Sequence, residues 1–259
     1  MISPLAYVDK EARIGANVTI HPFAYIDKNV EIGDNCTIMP YASILSGTRM
    51  GTDNIIYQGA IIGATPQDFK FKGEDTLLKI GNHNTIREKV ILNRGTNTTD
   101  CTIIGDGNFL LEGVHLAHDT HLGSHCVLGN GAKTAGNCII DDKAILGSEV
   151  IVKHGCRIGS WALLRDGCRA NKDVPPYIVA AHNPISYYGI NALILAKEGH
   201  LTENVIDNIA KCSRQIYQCG TSLENALRRI KDIIPLSPEI TYLVDFIEQS
   251  KKGIIGTTM

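Results

Sequence analysis

The densest group of side chains able to do chemistry is the segment GVHLAHDTHLGSH, residues 113–125, which holds His115, His118, Asp119, His121 and His125. A neutral imidazole near pH 7 can take a proton from an alcohol, and a carboxylate beside it can orient the ring or stabilise its protonated form. The same residue types also bind zinc, for which three imidazoles suffice. Eight cysteines are spread through the 259 residues without a CxxC pair. With no secretion signal they read as reduced thiols rather than a disulfide framework or a zinc knuckle. Which chemistry is available depends on the elements that position these side chains.

Those elements are announced by a repeat. Stepping by six from Ile2, 24 of the 29 positions up to residue 170 are Ile, Leu, Val or Met. The phase pauses after Ile62, resumes at Ile80, pauses again after Leu92 and resumes at Ile104. The position four residues after each aliphatic is mostly small, as at Val18, Ala24, Cys36, Ala42, Ala60, Cys126, Ala132, Cys138, Ala144, Cys156, Ala162 and Cys168. Five of the eight cysteines fall there and read as small buried apolar groups. Gly15, Gly33, Gly51, Gly105, Gly123 and Gly159 share a period of 18, which is three hexads. A helix fails this test, because a step of six puts successive apolar residues on shifting faces. The pattern predicts an all-β solenoid, a parallel β-helix of hexapeptide repeats over residues 1–186.

In such a stack, successive coils lie about 4.8 Å apart. Residues 118, 136 and 154 then form one column, His118, Gly136 and His154, with its ends about 10 Å apart. None of the four clustered histidines occupies an interior slot, so they face outward or lie at corners. There His118 can serve as general base for an alcohol attacking a thioester, with Asp119 orienting it and the unobstructed Gly136 N–H as oxyanion donor. A flat outer face is shallow, so a cleft calls for a second subunit. Two polar interruptions, near 65–78 (TPQDFKFKGEDTLL) and 95–102 (GTNTTDCT), protrude as candidate binding loops.

The period stops at DVPPYIVAAHNP, residues 173–184, whose prolines should not continue a ladder. The remainder, 187–259, reads as a C-terminal α-helical domain, with helices expected over Tyr188–Glu198, Glu203–Gln218, Leu223–Ile234 and Pro238–Ser250. Thr221 with Glu224 suggests a capping box, and Ser237–Pro238 a helix start. The charge balance, 25 Lys+Arg against 27 Asp+Glu, gives no basic excess for nucleic acid or a membrane surface. No apolar run reaches spanning length, so a cytoplasmic chain without an integral membrane segment is expected. Aromatics make up only 6%, so something other than large rings must fill the interior.

The chain resembles, from end to end, the UDP-N-acetylglucosamine O-acyltransferases that begin lipid A biosynthesis in Gram-negative bacteria. The matching pieces are QDFK (67–70), IREKVILNRGT (86–96), HLAHD (115–119), TAG (134–136), DVPPY (173–177) and YGIN (188–191). Hexads alone mark a superfamily; the HxAHD segment with both loops and the helical tail is more specific. The resemblance implies left-handed coils and a homotrimer. It also implies transfer of an (R)-3-hydroxyacyl group from acyl carrier protein to the 3-hydroxyl of UDP-N-acetylglucosamine, with no metal or other cofactor. It places the base at His118, with Asp119 and the Gly136 N–H beside it. Nucleotide-sugar contacts fall on Asp68 and Lys70, with Gln67, His115 and Asn191 as further matches.

The chain departs from the family pattern at other substrate-binding positions. Asn137 stands where better-known members have histidine, Lys153–His154 where they have His-Gln, Lys197 for an arginine and Leu193 for an acidic residue. Acyl length is expected to be limited within Trp161–Ala170 and near Pro184. Three other readings remain: a related hexapeptide acyltransferase with another sugar nucleotide or an amine acceptor, a zinc carbonic anhydrase-like solenoid, and a non-catalytic scaffold. The pathway's N-acyltransferase fits less well, because it carries an extra N-terminal domain and the hexads here begin at residue 2.

Overall fold

Most strands are only two residues long, because the chain turns a corner every six residues. The computed structural model describes residues 1–257. Within them the strands form three parallel sheets, the faces of a prism. The first runs from Tyr7–Val8 to Arg169–Ala170 and includes Ile61–Ala64, Ile91–Asn93, His115–Leu116, Lys133–Thr134 and Ile151–Val152. The second runs from Arg13–Ile14 to Arg157–Ile158, and the third from Thr19–Ile20 to Leu163–Leu164 and beyond. In the two-residue strands the first residue faces out and the second faces in, the period-two alternation of a pleated strand. Tyr7 therefore pairs with Tyr25 and Val8 with Ile26, one coil of 18 residues apart.

The interior follows the two slots read from the hexads. Ile26, Ile38, Ile44, Ile56, Ile62, Ile86, Leu92, Leu110 and Leu116 are fully buried, as are the corner residues Ala42, Ala60, Val90, Ala132 and Ala144. Cys36, Cys126, Cys138, Cys156 and Cys168 sit buried among them, and burial pushes the Cys126 and Cys138 thiols up to about 12. The small slot also holds a feature the apolar pattern hid. Asn54, Asn84 and Asn108 are buried and form a ladder: Asn54 Oδ1 accepts from the Asn84 N–H at 2.9 Å, and Asn84 Oδ1 from the Asn108 N–H at 2.8 Å. The glycine column is a close approach, since a Cβ on Gly33 would lie 2.6 Å from the Gly51 carbonyl carbon.

Pro175 and Pro176 do not end the stack, contrary to the expectation from their missing donors. Val174 still bridges Ile158, and Ile178–Ala181 adds a parallel strand beside Leu163–Leu164. The prolines occupy the corner between these pairings, where no ladder N–H is needed. Stacking ends at Ser186–Ile190, which pairs antiparallel with Ile178–Ala181. The first helix is correspondingly shorter than expected: α1 spans Ala192–Lys197, because Tyr188–Ile190 is already committed to that strand. Helices α2 (Glu203–Tyr217), α3 (Leu223–Ile233) and α4 (Pro238–Glu248) follow. The α3 cap is Ser222, accepting from the Asn225 N–H, rather than a box built on Thr221; Ser237 caps α4 with Pro238 in its first turn.

The helices bury Leu195, Ile209, Cys212, Ile230, Ile240 and Phe246 in a core of their own. Helix α4 is tied to the prism through Tyr242, whose hydroxyl donates to Asp141 at 2.6 Å and accepts from the Ser160 N–H at 3.0 Å. Among the described residues no helix is long and apolar enough to cross a membrane.

Candidate active site

One edge of the prism, between the first and second sheets, gathers most of the candidate side chains. The first excursion leaves it after Ile61–Ala64 and returns at Leu78–Ile80; the second leaves after Ile91–Asn93 and returns at Thr102–Ile104. One coil further on, the same edge carries His118 and Asp119, between His115–Leu116 and His121–Leu122. The loops therefore fold over the corner that follows them. Asp119 takes the left-handed conformation, φ 57°, which recurs at these corners and which Asp and Asn tolerate.

His118 Nδ1 lies 2.8 Å from Asp119 Oδ2, and His118 Nε2 lies 3.7 Å from Asp68 Oδ2 of the first loop. Asp119 in turn accepts from the Thr96 N–H at 2.9 Å and the Thr96 hydroxyl at 2.7 Å, both from the second loop. Its own N–H donates to Thr102 Oγ1 at 2.9 Å. Burial by itself would raise the Asp119 carboxyl, but the Thr96 hydroxyl, His118 and the Thr96 N–H together hold it below its ordinary value. A carboxylate only accepts, so in the neutral imidazole the proton belongs on Nδ1 and Nε2 keeps its lone pair. His118 is only 8% exposed although it lies outside the coil, because the loops cover it.

Gly136 stands directly above the imidazole: a Cβ there would come within 2.6 Å of His118 Nε2, so any side chain would displace the ring. The register of the first sheet, His115 to Lys133 to Ile151, stacks residues 118, 136 and 154 in the expected column. Gly136 is buried, whereas Asn137 and His154 are exposed on that edge. Gln67 and Lys70 are exposed on the first loop, and the Lys70 N–H donates to Asp68 Oδ1 at 2.8 Å. His115 is half-buried on the first sheet, and burial, then the Lys133 charge, push its pKa down.

Two expected site residues lie elsewhere. Asn191 is buried, and its side-chain amide donates to the Trp161 carbonyl at 3.0 Å. Lys197 is exposed at the end of α1. Trp161 turns the corner between the second and third sheets, so both residues belong to a different edge from His118. Beside them is a groove of about 520 Å³ lined by Val127, Ile145, Trp161 and Ile194, with His125, Lys143 and Glu198. His121 faces Asp100 at 3.3 Å on the second sheet. The four clustered histidines thus spread over several faces, and among the described residues no three His, Cys, Asp or Glu side chains converge as metal ligands. Thr96 and Thr102 escaped the sequence reading. Thr96 lies in a segment that carried the resemblance, but only the fold aims it at Asp119.

A prism of hexapeptide coils with a polar corner under two loops defines a class, the hexapeptide-repeat transferases. The model described as bacterial transferase hexapeptide (six repeats) matches residues 11–40, 29–64 and 101–136. The second domain of UDP-N-acetylglucosamine O-acyltransferase matches residues 173–255. The acyl-[acyl-carrier-protein]–UDP-N-acetylglucosamine O-acyltransferase of Halorhodospira halophila is 43% identical over 255 residues, covering 98% of each chain. Its namesake from Thermodesulfovibrio yellowstonii is 38% identical over 98% of this chain and 96% of that one. The crystal structure of a UDP-N-acetylglucosamine acyltransferase from Bacteroides fragilis superposes with a TM-score of 0.96 at 50% identity, covering 98% of this chain and all of that one. The chain belongs to the acyl-[acyl-carrier-protein]–UDP-N-acetylglucosamine O-acyltransferase family.

Proposed function

We propose that this protein transfers an (R)-3-hydroxyacyl group from acyl carrier protein to the 3-hydroxyl of UDP-N-acetylglucosamine, the first step of lipid A biosynthesis, in the cytoplasm. The observation that carries the mechanism is the His118–Asp119 pair, 2.8 Å from Nδ1 to Oδ2, with Nε2 turned toward the loop that carries Asp68. In the reaction, Nε2 takes the proton of the sugar hydroxyl as its oxygen attacks the thioester carbonyl. Asp119 stabilises the imidazolium that results. The Gly136 N–H has no acceptor among the described residues and is free to donate to the oxyanion of the tetrahedral intermediate. Collapse of that intermediate breaks the C–S bond, and the imidazolium returns its proton to the carrier thiolate. Esterified sugar nucleotide and free carrier thiol are the products.

Asp68, with Gln67 and Lys70 on the same loop, is placed to hold the sugar nucleotide over Nε2, and His115, Asn137 and His154 border the same edge. Asn191 and Lys197, on another edge, join this set if chains pack as a homotrimer. An edge bearing His118 then faces an edge of the neighbouring chain bearing α1. The groove beside Trp161 offers Val127, Ile145 and Ile194 as an apolar floor for the acyl chain, with Lys143 and Glu198 among its lining residues. His118→Ala should lower turnover by about 100-fold to 10,000-fold while leaving the assembly intact. Near-normal transfer by that variant, assayed with hydroxyacyl carrier protein and UDP-N-acetylglucosamine, would show that His118 is not the base.

A further inference from the structure

We propose that Thr96 is a positioning residue for this reaction, fixing the rotation of the Asp119 carboxylate and, through it, the tautomer of His118; the inference rests on the reading of His118 as base. Both Asp119 oxygens are engaged by this one residue, Oδ1 by the Thr96 N–H at 2.9 Å and Oδ2 by the Thr96 hydroxyl at 2.7 Å. Oδ2 is also the atom facing His118 Nδ1 at 2.8 Å. The carboxylate is therefore held in one plane by two donors from Thr96 and presents a fixed lone pair to the ring. Its place is tightly shaped as well: a Cβ on Gly95 would lie 3.0 Å from Asp119 Oδ1, so the glycine before Thr96 leaves room for that oxygen.

The fold explains why the second excursion is there. A loop leaving the corner one coil before His118 is the nearest chain segment that can reach over Asp119. It is pinned at its root, where the Gly95 N–H donates to the Leu77 carbonyl at 3.0 Å. Thr96 is β-branched and stiff about χ1, so its hydroxyl keeps its aim. Without that hydroxyl the carboxylate keeps only the backbone donor and can turn about its last torsion. Nδ1 then loses its fixed acceptor, and protonation of Nε2 removes the base.

The test is Thr96→Val beside Thr96→Ser in the full-length protein. In Thr96→Val, kcat should fall at least about 10-fold, a fraction of the about 100-fold to 10,000-fold that positioned proton transfer supplies. KM for UDP-N-acetylglucosamine should stay unchanged, and Thr96→Ser should recover most of the turnover. Nitrogen NMR of histidine-labelled protein without substrates should show the Nδ1–H form of His118 in the wild type and Thr96→Ser, and a tautomer mixture in Thr96→Val. A near-wild-type kcat with an unchanged tautomer in Thr96→Val, alongside an inactive His118→Ala, would overturn the proposal and leave the base in place. An active His118→Ala would remove both. Loss of thermal stability in both Thr96 variants, with no recovery by serine, would mark Thr96 as a fold residue and overturn the positioning role.

Discussion

The imidazole of His118 has an ordinary chemistry made specific by its neighbours. Asp119 below and Asp68 above meet its two nitrogens, and Gly136 leaves the space the ring occupies. The lowered Asp119 pKa has a definite sign in stability. Its carboxylate contributes to the fold above the unfolded value, and that contribution is lost as pH falls through the lower folded value. At neutral pH Asp119 is therefore a carboxylate. Asp68 and Lys70 belong to a loop rather than to the prism, so their loss should spare the fold. Asp68→Ala and Lys70→Ala are expected to weaken UDP-N-acetylglucosamine binding by about 10-fold each, the scale of one charge-assisted hydrogen bond. Calorimetric titration checks this, and unchanged affinity in both would mean that the first loop does not hold the sugar nucleotide.

At the scale of the coil, two residues in six decide whether the chain stacks. The large slot fills a narrow interior and the small slot permits the corner, so the two tolerate different changes. Ala144 is fully buried at a corner. Ala144→Leu should cost about 1–3 kcal/mol through overpacking. A melting temperature equal to that of the wild type would contradict the packing account. Both slots were legible in the sequence because they repeat. The asparagine ladder was not, since Asn54, Asn84 and Asn108 read as polar residues until the neighbouring coil supplies their partners. The same limit applies to Pro175 and Pro176: missing donors argue against a ladder, and only the tertiary path shows that both lie between two pairings.

The whole chain presents its candidate site residues on two edges, His118 between the first and second sheets and α1 beside Trp161 on another. A site shared between subunits follows if the proposed trimer forms, and it has a consequence for mixtures. His118→Ala and Lys197→Ala chains should each transfer poorly alone. Coexpressed, they should regain activity, because a mixed trimer contains an interface at which both residues are intact. The particle should have three times the 28.2 kDa chain mass by sedimentation. Activity no higher than that of the separate variants would place Lys197 and His118 in independent roles.

Local repetition is what the sequence determined unaided: the prism, the inward aliphatics, the buried cysteines, the stacking of 118 with 136 and 154, and the two places where loops leave. A period of six fixes these because each coil repeats the same local problem, and 18-residue spacing converts position into column. Contacts between residues far apart in the chain were decided only by the tertiary structure. Asp68 over Nε2 and Thr96 on Asp119 depend on two irregular loops folding over one corner, and nothing periodic encodes that path. The separation of Asn191 and Lys197 from His118 has the same origin: the helices dock through long-range contacts such as Tyr242 on Asp141, Tyr217 on Tyr187 and, beside α1, Asn191 on Trp161, which leave no trace in composition or spacing.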